Sequence, residues 1–119
     1  MVARALMLTL LVAAGSSPSL AACLSPAAAV CSEFFKSEAV FLGSVVAQRE
    51  LPPEGEDYGG IVYRVRARQV FRGAIRDDVE VFSENSSGRL PLALGRDYLL
   101  FAEESAGRLE VTSCGNSGL

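Results

Sequence analysis

The alternation in residues 60–72 is the tightest constraint in this sequence. Ile61, Tyr63, Val65 and Ala67 fall on one side of an extended chain, and Arg64, Arg66 and Arg68 fall on the other. A period of two belongs to a strand with one dry face and one wet face, because successive side chains of a strand point to opposite sides. Val70 and Phe71 interrupt the alternation, which predicts a bulge nearby. Four further runs read as strands. Residues 39–47 are rich in branched and aromatic side chains and contain Gly43, the mark of a bend or bulge. Residues 79–82 form a short run, residues 97–102 a buried one, and residues 108–113 lead to Cys114. Turn-forming residues separate them, at 52–57, 73–78, 83–89 and 105–107.

Five strands and little helix suggest a small closed sheet, since closure removes edges that would pair with other chains. An all-β, five-stranded barrel of the OB type fits this count and length. Residues 90–96, Leu-Pro-Leu-Ala-Leu-Gly-Arg, are expected to cover a barrel opening. Ahead of the first strand, residues 32–38 read as one or two helical turns with Ser32 as N-cap. So short a helix is unstable alone and is expected to dock Phe34 and Phe35 on the sheet.

The first 22 residues do not belong to this pattern. Arg4 precedes an apolar run at 5–14. Ten residues at about 1.5 Å each cover about 15 Å, half of a hydrocarbon core about 30 Å thick. The run is too short for a span and suits the apolar region of a secretory signal. Gly15-Ser16-Ser17-Pro18 breaks it, and Ser19-Leu20-Ala21-Ala22 supplies small residues for cleavage. The expected organisation is a signal peptide at 1–22 and one domain at 23–119, in a secreted or periplasmic protein.

Removing residues 1–22 takes away one of the eleven basic residues, Arg4, and none of the fourteen acidic ones, so the mature net charge is −4. That balance argues against a nucleic-acid partner. Lys36 is the only lysine, and the preference for arginine, alanine and glycine points to a GC-rich bacterial genome. Histidine is absent, which removes the commonest general base and the commonest metal ligand. No nucleophile motif stands in its place, so the chain reads as a non-enzyme without cofactor or resident metal. Cys23, Cys31 and Cys114 are the three cysteines; in an exported protein they are disulfide candidates, with one left over.

The strands resemble the netrin-like family, whose best-known members are the tissue inhibitors of metalloproteinases (TIMPs). Residues 37–45, Ser-Glu-Ala-Val-Phe-Leu-Gly-Ser-Val, resemble the family's A-D-x-V-F-x-G-x-V. Tyr63-Arg64-Val65 with Val70-Phe71-Arg72-Gly73 resembles F-x-V followed by F/Y-K-G. Residues 95–102 resemble G-x-x-Y-L-V-F-A, and residues 109–114 resemble the closing L-x-x-x-x-C. The resemblance implies an OB-type barrel with its N-terminal segment tied on by disulfides. Where the family starts with Cys-x-Cys this chain has only Cys23, and where it has Cys-Gly this chain has Ser87-Gly88. Matching Cys23 to the second family cysteine implies a Cys23–Cys114 bridge and leaves Cys31 over. The family's inhibitory members chelate a protease zinc through the amine and carbonyl of the mature N-terminal cysteine, which would be Cys23 here. The implied partner is a zinc metalloprotease.

A second resemblance competes for the same residue. Leu20-Ala21-Ala22-Cys23 is similar to a bacterial lipobox, L-[AS]-[GA]-C, in which Cys23 is lipidated. The chain would then be an envelope lipoprotein with a structural or assembly role, membrane-bound only through that lipid, and Cys31–Cys114 would be the disulfide. Either bridge closes a loop of roughly 80–90 residues, a constraint on the unfolded chain of about 4 kcal/mol in the entropic account.

Three further groups read as solvated surface. Arg64, Arg66 and Arg68 form a basic stripe, but Tyr63 points to the other side, so no aromatic residue interleaves with them as single-stranded nucleic acid requires. Glu80 or Glu110 are their expected ion partners. Glu54, Glu56 and Asp57 offer oxygen ligands, yet their spacing matches no calcium loop, and Asp77-Asp78 reads as a turn. Asn85-Ser86-Ser87 is a glycosylation acceptor in a eukaryotic secretory route.

Overall fold

The computed structural model describes Cys23 and residues 27–119; the expected signal peptide lies outside the described residues. The elements are α1 (Val30–Lys36), β1 (Ala39–Leu51), β2 (Gly60–Arg72), β3 (Asp78–Glu84), β4 (Asp97–Ser105) and β5 (Arg108–Glu110). The strands join in a closed ring, β1-β2-β3-β5-β4. Every pairing is antiparallel except β3 with β5, where Val81 and Phe82 meet Leu109 and Glu110 in parallel.

Alternation in β2 produces the wet and dry faces foreseen for it. Tyr63 and Val65 are buried while Arg64, Arg66 and Arg68 are exposed. Phe41, Leu100, Val81 and Val65 pack at the centre of the ring, each no more than 1% exposed. The register between β1 and β2 slips at three places, between Val40 and Phe41, Leu42 and Gly43, and Val45 and Ala47. The first slip leaves Phe71 without an opposite residue, and the second does the same for Arg68. These slips bend β1 enough to pair with β2 on one side and with β4, over Ala39–Ser44, on the other. Gly43 is required at the middle slip: a Cβ there would lie 2.5 Å from Val65 Cγ1 and 2.8 Å from the Arg66 carbonyl oxygen.

The 90–96 segment packs onto the core. Leu92 is 5% exposed and belongs to the core, and Leu90 packs against it, while Leu94 faces solvent. Two buried phenols hold this segment: Leu92 N–H donates to Tyr63 Oη (3.1 Å) and Ala93 N–H to Tyr98 Oη (2.9 Å). Buried tyrosines need such a partner for the hydroxyl, so each contributes packing and a polar anchor together.

Two expectations need correction. Helix α1 starts at Val30 with Ala29 as N-cap and no side-chain cap, so Ser32 lies inside it. It docks through Glu33, which is buried, whereas Phe35 is 70% exposed and Phe34 half-buried. The reason is a set of polar contacts. Arg72 Nε–H donates to the Ser37 carbonyl (2.8 Å) and Arg72 Nη2–H to the Phe35 carbonyl (3.3 Å), satisfying the open end of the helix, and the guanidinium lies over the Phe34 ring. The last strand is also shorter than expected, ending at Glu110. Beyond it Val111 N–H still reaches the Phe82 carbonyl, but Ser113 N–H donates to the Gly88 carbonyl and leaves the ladder.

Candidate protein-binding rim

Sulfur joins the two ends of the described chain. Cys23 and Cys114 form a disulfide across 91 residues, with Cα atoms 5.6 Å apart. Cys31 is a free, exposed thiol, so the pairing Cys31–Cys114 is not the one formed. A thioether lipid on Cys23 would occupy the sulfur that this disulfide uses; the two states exclude each other in one molecule.

The loop after β3 carries the rim away from the disulfide. The Gly88 carbonyl accepts from Ser113 N–H (2.9 Å) and from Thr112 Oγ1–H (3.0 Å), and Thr112 Oγ1 in turn accepts from Cys114 N–H (3.2 Å). A Cβ on Gly88 would lie 3.9 Å from Cys114 Sγ. Gly88 therefore sits beside the disulfide. The same loop is braced within itself, Arg89 N–H donating to the Ser86 carbonyl (3.1 Å), and tied to the β1–β2 loop by Asn85 N–H to the Gly59 carbonyl (2.9 Å).

Between those two loops lies a cleft of about 480 Å³, walled by Pro52, Pro53 and Tyr58 on one side and by Asn85 and Arg89 on the other. Tyr58 is 66% exposed. Tyr58 and the prolines, Asn85–Gly88 and the disulfide thus form one rim of irregular backbone at an end of the ring. Loops held by a rigid sheet are where binding residues concentrate. On the other side of the 86–88 turn, Glu33, Glu84, Glu103 and Glu110 line a second cleft of about 210 Å³, so the rim has an acidic flank.

The remaining candidates lie apart from this rim or are engaged. Arg64 and Arg66 both reach Asp78 (3.7 and 3.2 Å), and Arg68 reaches Asp97 (3.2 Å). Glu80 pairs with Arg49 and Glu110 with Arg108, so neither is the partner expected for the stripe. Register alone does not decide this: Glu80 stands opposite Arg64 but is taken by Arg49 from β1, and Arg64 joins Arg66 on Asp78, which stands opposite Arg66 at the start of β3. Glu54 and Asp57 close a tight exposed turn through their backbones, and no group of three or more Cys, Asp or Glu among the described residues is placed to hold a metal. Asp77 adopts the left-handed conformation (φ 50°) that its turn needs. Asn85 is exposed on the rim.

Reading the sequence missed one contact of consequence. The Glu33 carboxylate accepts from Asn116 N–H (2.8 Å) and from the Asn116 side-chain amide. Gly115-Asn116-Ser117-Gly118 has the composition of a loose terminal loop, and nothing in it signals a partner 83 residues away.

No protein-family model matches this chain, and no curated protein matches it; what the rim does has to be argued from its own residues.

Proposed function

We propose that the chain is an exported, non-catalytic protein-binding module of the netrin-like, TIMP-like kind, an OB-type barrel spanning residues 23–119 once residues 1–22 are removed. Its rim is the binding surface, and a zinc metalloendopeptidase is the partner. The observation that carries this reading is the Cys23–Cys114 disulfide beside Gly88. It supports the reading because Cys23, the residue expected to be first in the mature chain, is bonded to Cys114 beside the 85–89 loop, and that loop borders the cleft that Tyr58 lines. An α-amine and carbonyl at Cys23 are then available to a metal ion held by another protein, with surrounding loops to make the protein–protein contacts. An oxidising, exported compartment suits a structural disulfide.

The test uses the mature protein with Cys23 as its first residue. Across a panel of zinc proteases it slows at least one, and adding a single alanine ahead of Cys23 abolishes the effect, because the amine is displaced and becomes an amide. Equal potency with and without the extension removes chelation from the reading. No slowing of any zinc protease removes the inhibitor assignment altogether.

One observation favours a second reading, the envelope lipoprotein. Cys31 is exposed and unpaired, so Cys114 has an alternative partner if a lipid takes the Cys23 sulfur. Mass spectrometry of the mature N-terminus separates the two: a diacylglyceryl adduct on Cys23 supports the tether, and a free amine with Cys23 in a disulfide supports the binding module.

A further inference from the structure

Glu33 is the one charged residue buried among the described residues, at 8% exposed, and none of the five ion pairs involves it. A carboxylate out of water and without a counter-ion among the described residues is costly unless directed donors satisfy it. An apolar side chain would dock this short helix with less desolvation. Glu33 brings direction instead. Asn116 offers it the backbone N–H and the side-chain amide, and that same amide also donates to the Ala28 carbonyl (2.7 Å). Gly115 allows the approach, since any Cβ there would collide with the Glu33 carboxylate.

Asn116 lies two residues after Cys114, and Ala28 lies five residues after Cys23. The tail therefore grips the N-terminal segment twice within three residues, by sulfur at Cys23 and by hydrogen bonds at Ala28 and Glu33. The tail is itself fixed to β4, with Phe101 N–H donating to Ser117 Oγ (2.8 Å) and Leu99 N–H to the Gly118 carbonyl (2.8 Å). A disulfide alone leaves its residue free to swing about the S–S axis; a second attachment at Ala28 narrows the range it can sweep.

We infer that Glu33 and Asn116 are positioning residues for Cys23: with the disulfide, they fasten the chain to the tail at Cys23, Ala28 and Glu33 and so bias the direction in which the Cys23 amine and carbonyl leave the rim. The inference rests on the reading of Cys23 as the contact residue, and its test has an arm that does not. In the disulfide-bonded mature protein, dithiothreitol reduces Cys23–Cys114 about tenfold faster in Asn116→Ala and Glu33→Ala than in the wild type, a factor fitting the loss of hydrogen bonds to a charged group. Glu33→Gln keeps an acceptor oxygen and stays within about threefold of the wild type. Val81→Ala, in the core of the ring, lowers Tm but leaves the reduction rate unchanged, because reduction proceeds through local opening of the tail.

Against a zinc protease that the wild type inhibits, Asn116→Ala and Glu33→Ala weaken inhibition about tenfold and Glu33→Gln restores it. A reduction rate for Asn116→Ala equal to that of the wild type, or one that follows Tm across all variants including Val81→Ala, overturns the positioning role. Faster reduction with inhibition unaltered overturns it as well. If the wild type inhibits no protease, the functional reading falls, while the reduction rates still decide whether the clasp holds Cys23.

Discussion

The ring and the N-terminal segment attached to it are held together by opposite means. Phe41, Val65, Val81 and Leu100 make the ring a closed apolar core, in whose cluster the hydrogen-bonding needs are those of the Tyr63 and Tyr98 hydroxyls. The segment from Cys23 to Ser37 turns Phe35 to solvent and relies on a disulfide, a buried carboxylate, an asparagine and an arginine. Apolar packing is strong, non-directional and tolerant of exchange for similar volumes. A hydrogen bond contributes less than a buried aromatic side chain but fixes orientation, and a disulfide acts by constraining the unfolded chain. Under the proposed function the division matches two tasks: the core excludes water, and the segment holds one residue in place on the rim.

That contrast can be broken from either side. The largest effect is expected in the ring: Phe41→Ala leaves a void in the centre of the fold and costs about 3–5 kcal/mol, read as a lower denaturation midpoint with the whole sheet unfolding together. Next comes Cys114→Ser, which removes the constraint on the unfolded chain and costs about 2–4 kcal/mol. If the segment is an attachment rather than part of the core, the far-UV spectrum of this variant keeps its β character at low temperature. The smallest is Arg66→Ala, an exposed ion pair with Asp78 in which Arg64 also takes part; it costs below about 1 kcal/mol, and salt removes the difference. A Cys114→Ser variant that loses the sheet would erase the boundary between the two regions. An Arg66→Ala variant as damaging as Phe41→Ala would show that the wet face carries the fold.

The β2 boundaries, Gly60 and Arg72, are legible because the alternation is local: every residue declares its face by its polarity. The bulge at Phe71 and the kink at Gly43 are legible for a related reason, since each breaks a pattern already in force. The helix was harder. Two adjacent phenylalanines suggest an apolar contact, yet Arg72, from the far end of β2, takes the helix terminus, and Glu33 turns inward to meet Asn116. Those partners are 35 and 83 residues away along the chain, and nothing in local composition encodes such a distance. The same holds for the stripe. Opposite charges on β2 and β3 imply ion pairs, but which acid meets which arginine depends on side chains from other strands as well: Glu80 stands opposite Arg64 and meets Arg49 of β1 instead.

The amino-acid sequence alone determined that this chain makes a curled sheet of five strands with one wet face, because burial periodicity and turn residues are properties of neighbouring positions. It also limited the sulfur chemistry to one bridge among three cysteines. Only the tertiary structure decided that Cys23 rather than Cys31 meets Cys114, that the 86–88 turn lies beside them, and that a buried glutamate clasps the tail. Those outcomes depend on which surfaces the closing of the ring brings within hydrogen-bonding or bonding distance, and that is set by the whole chain at once.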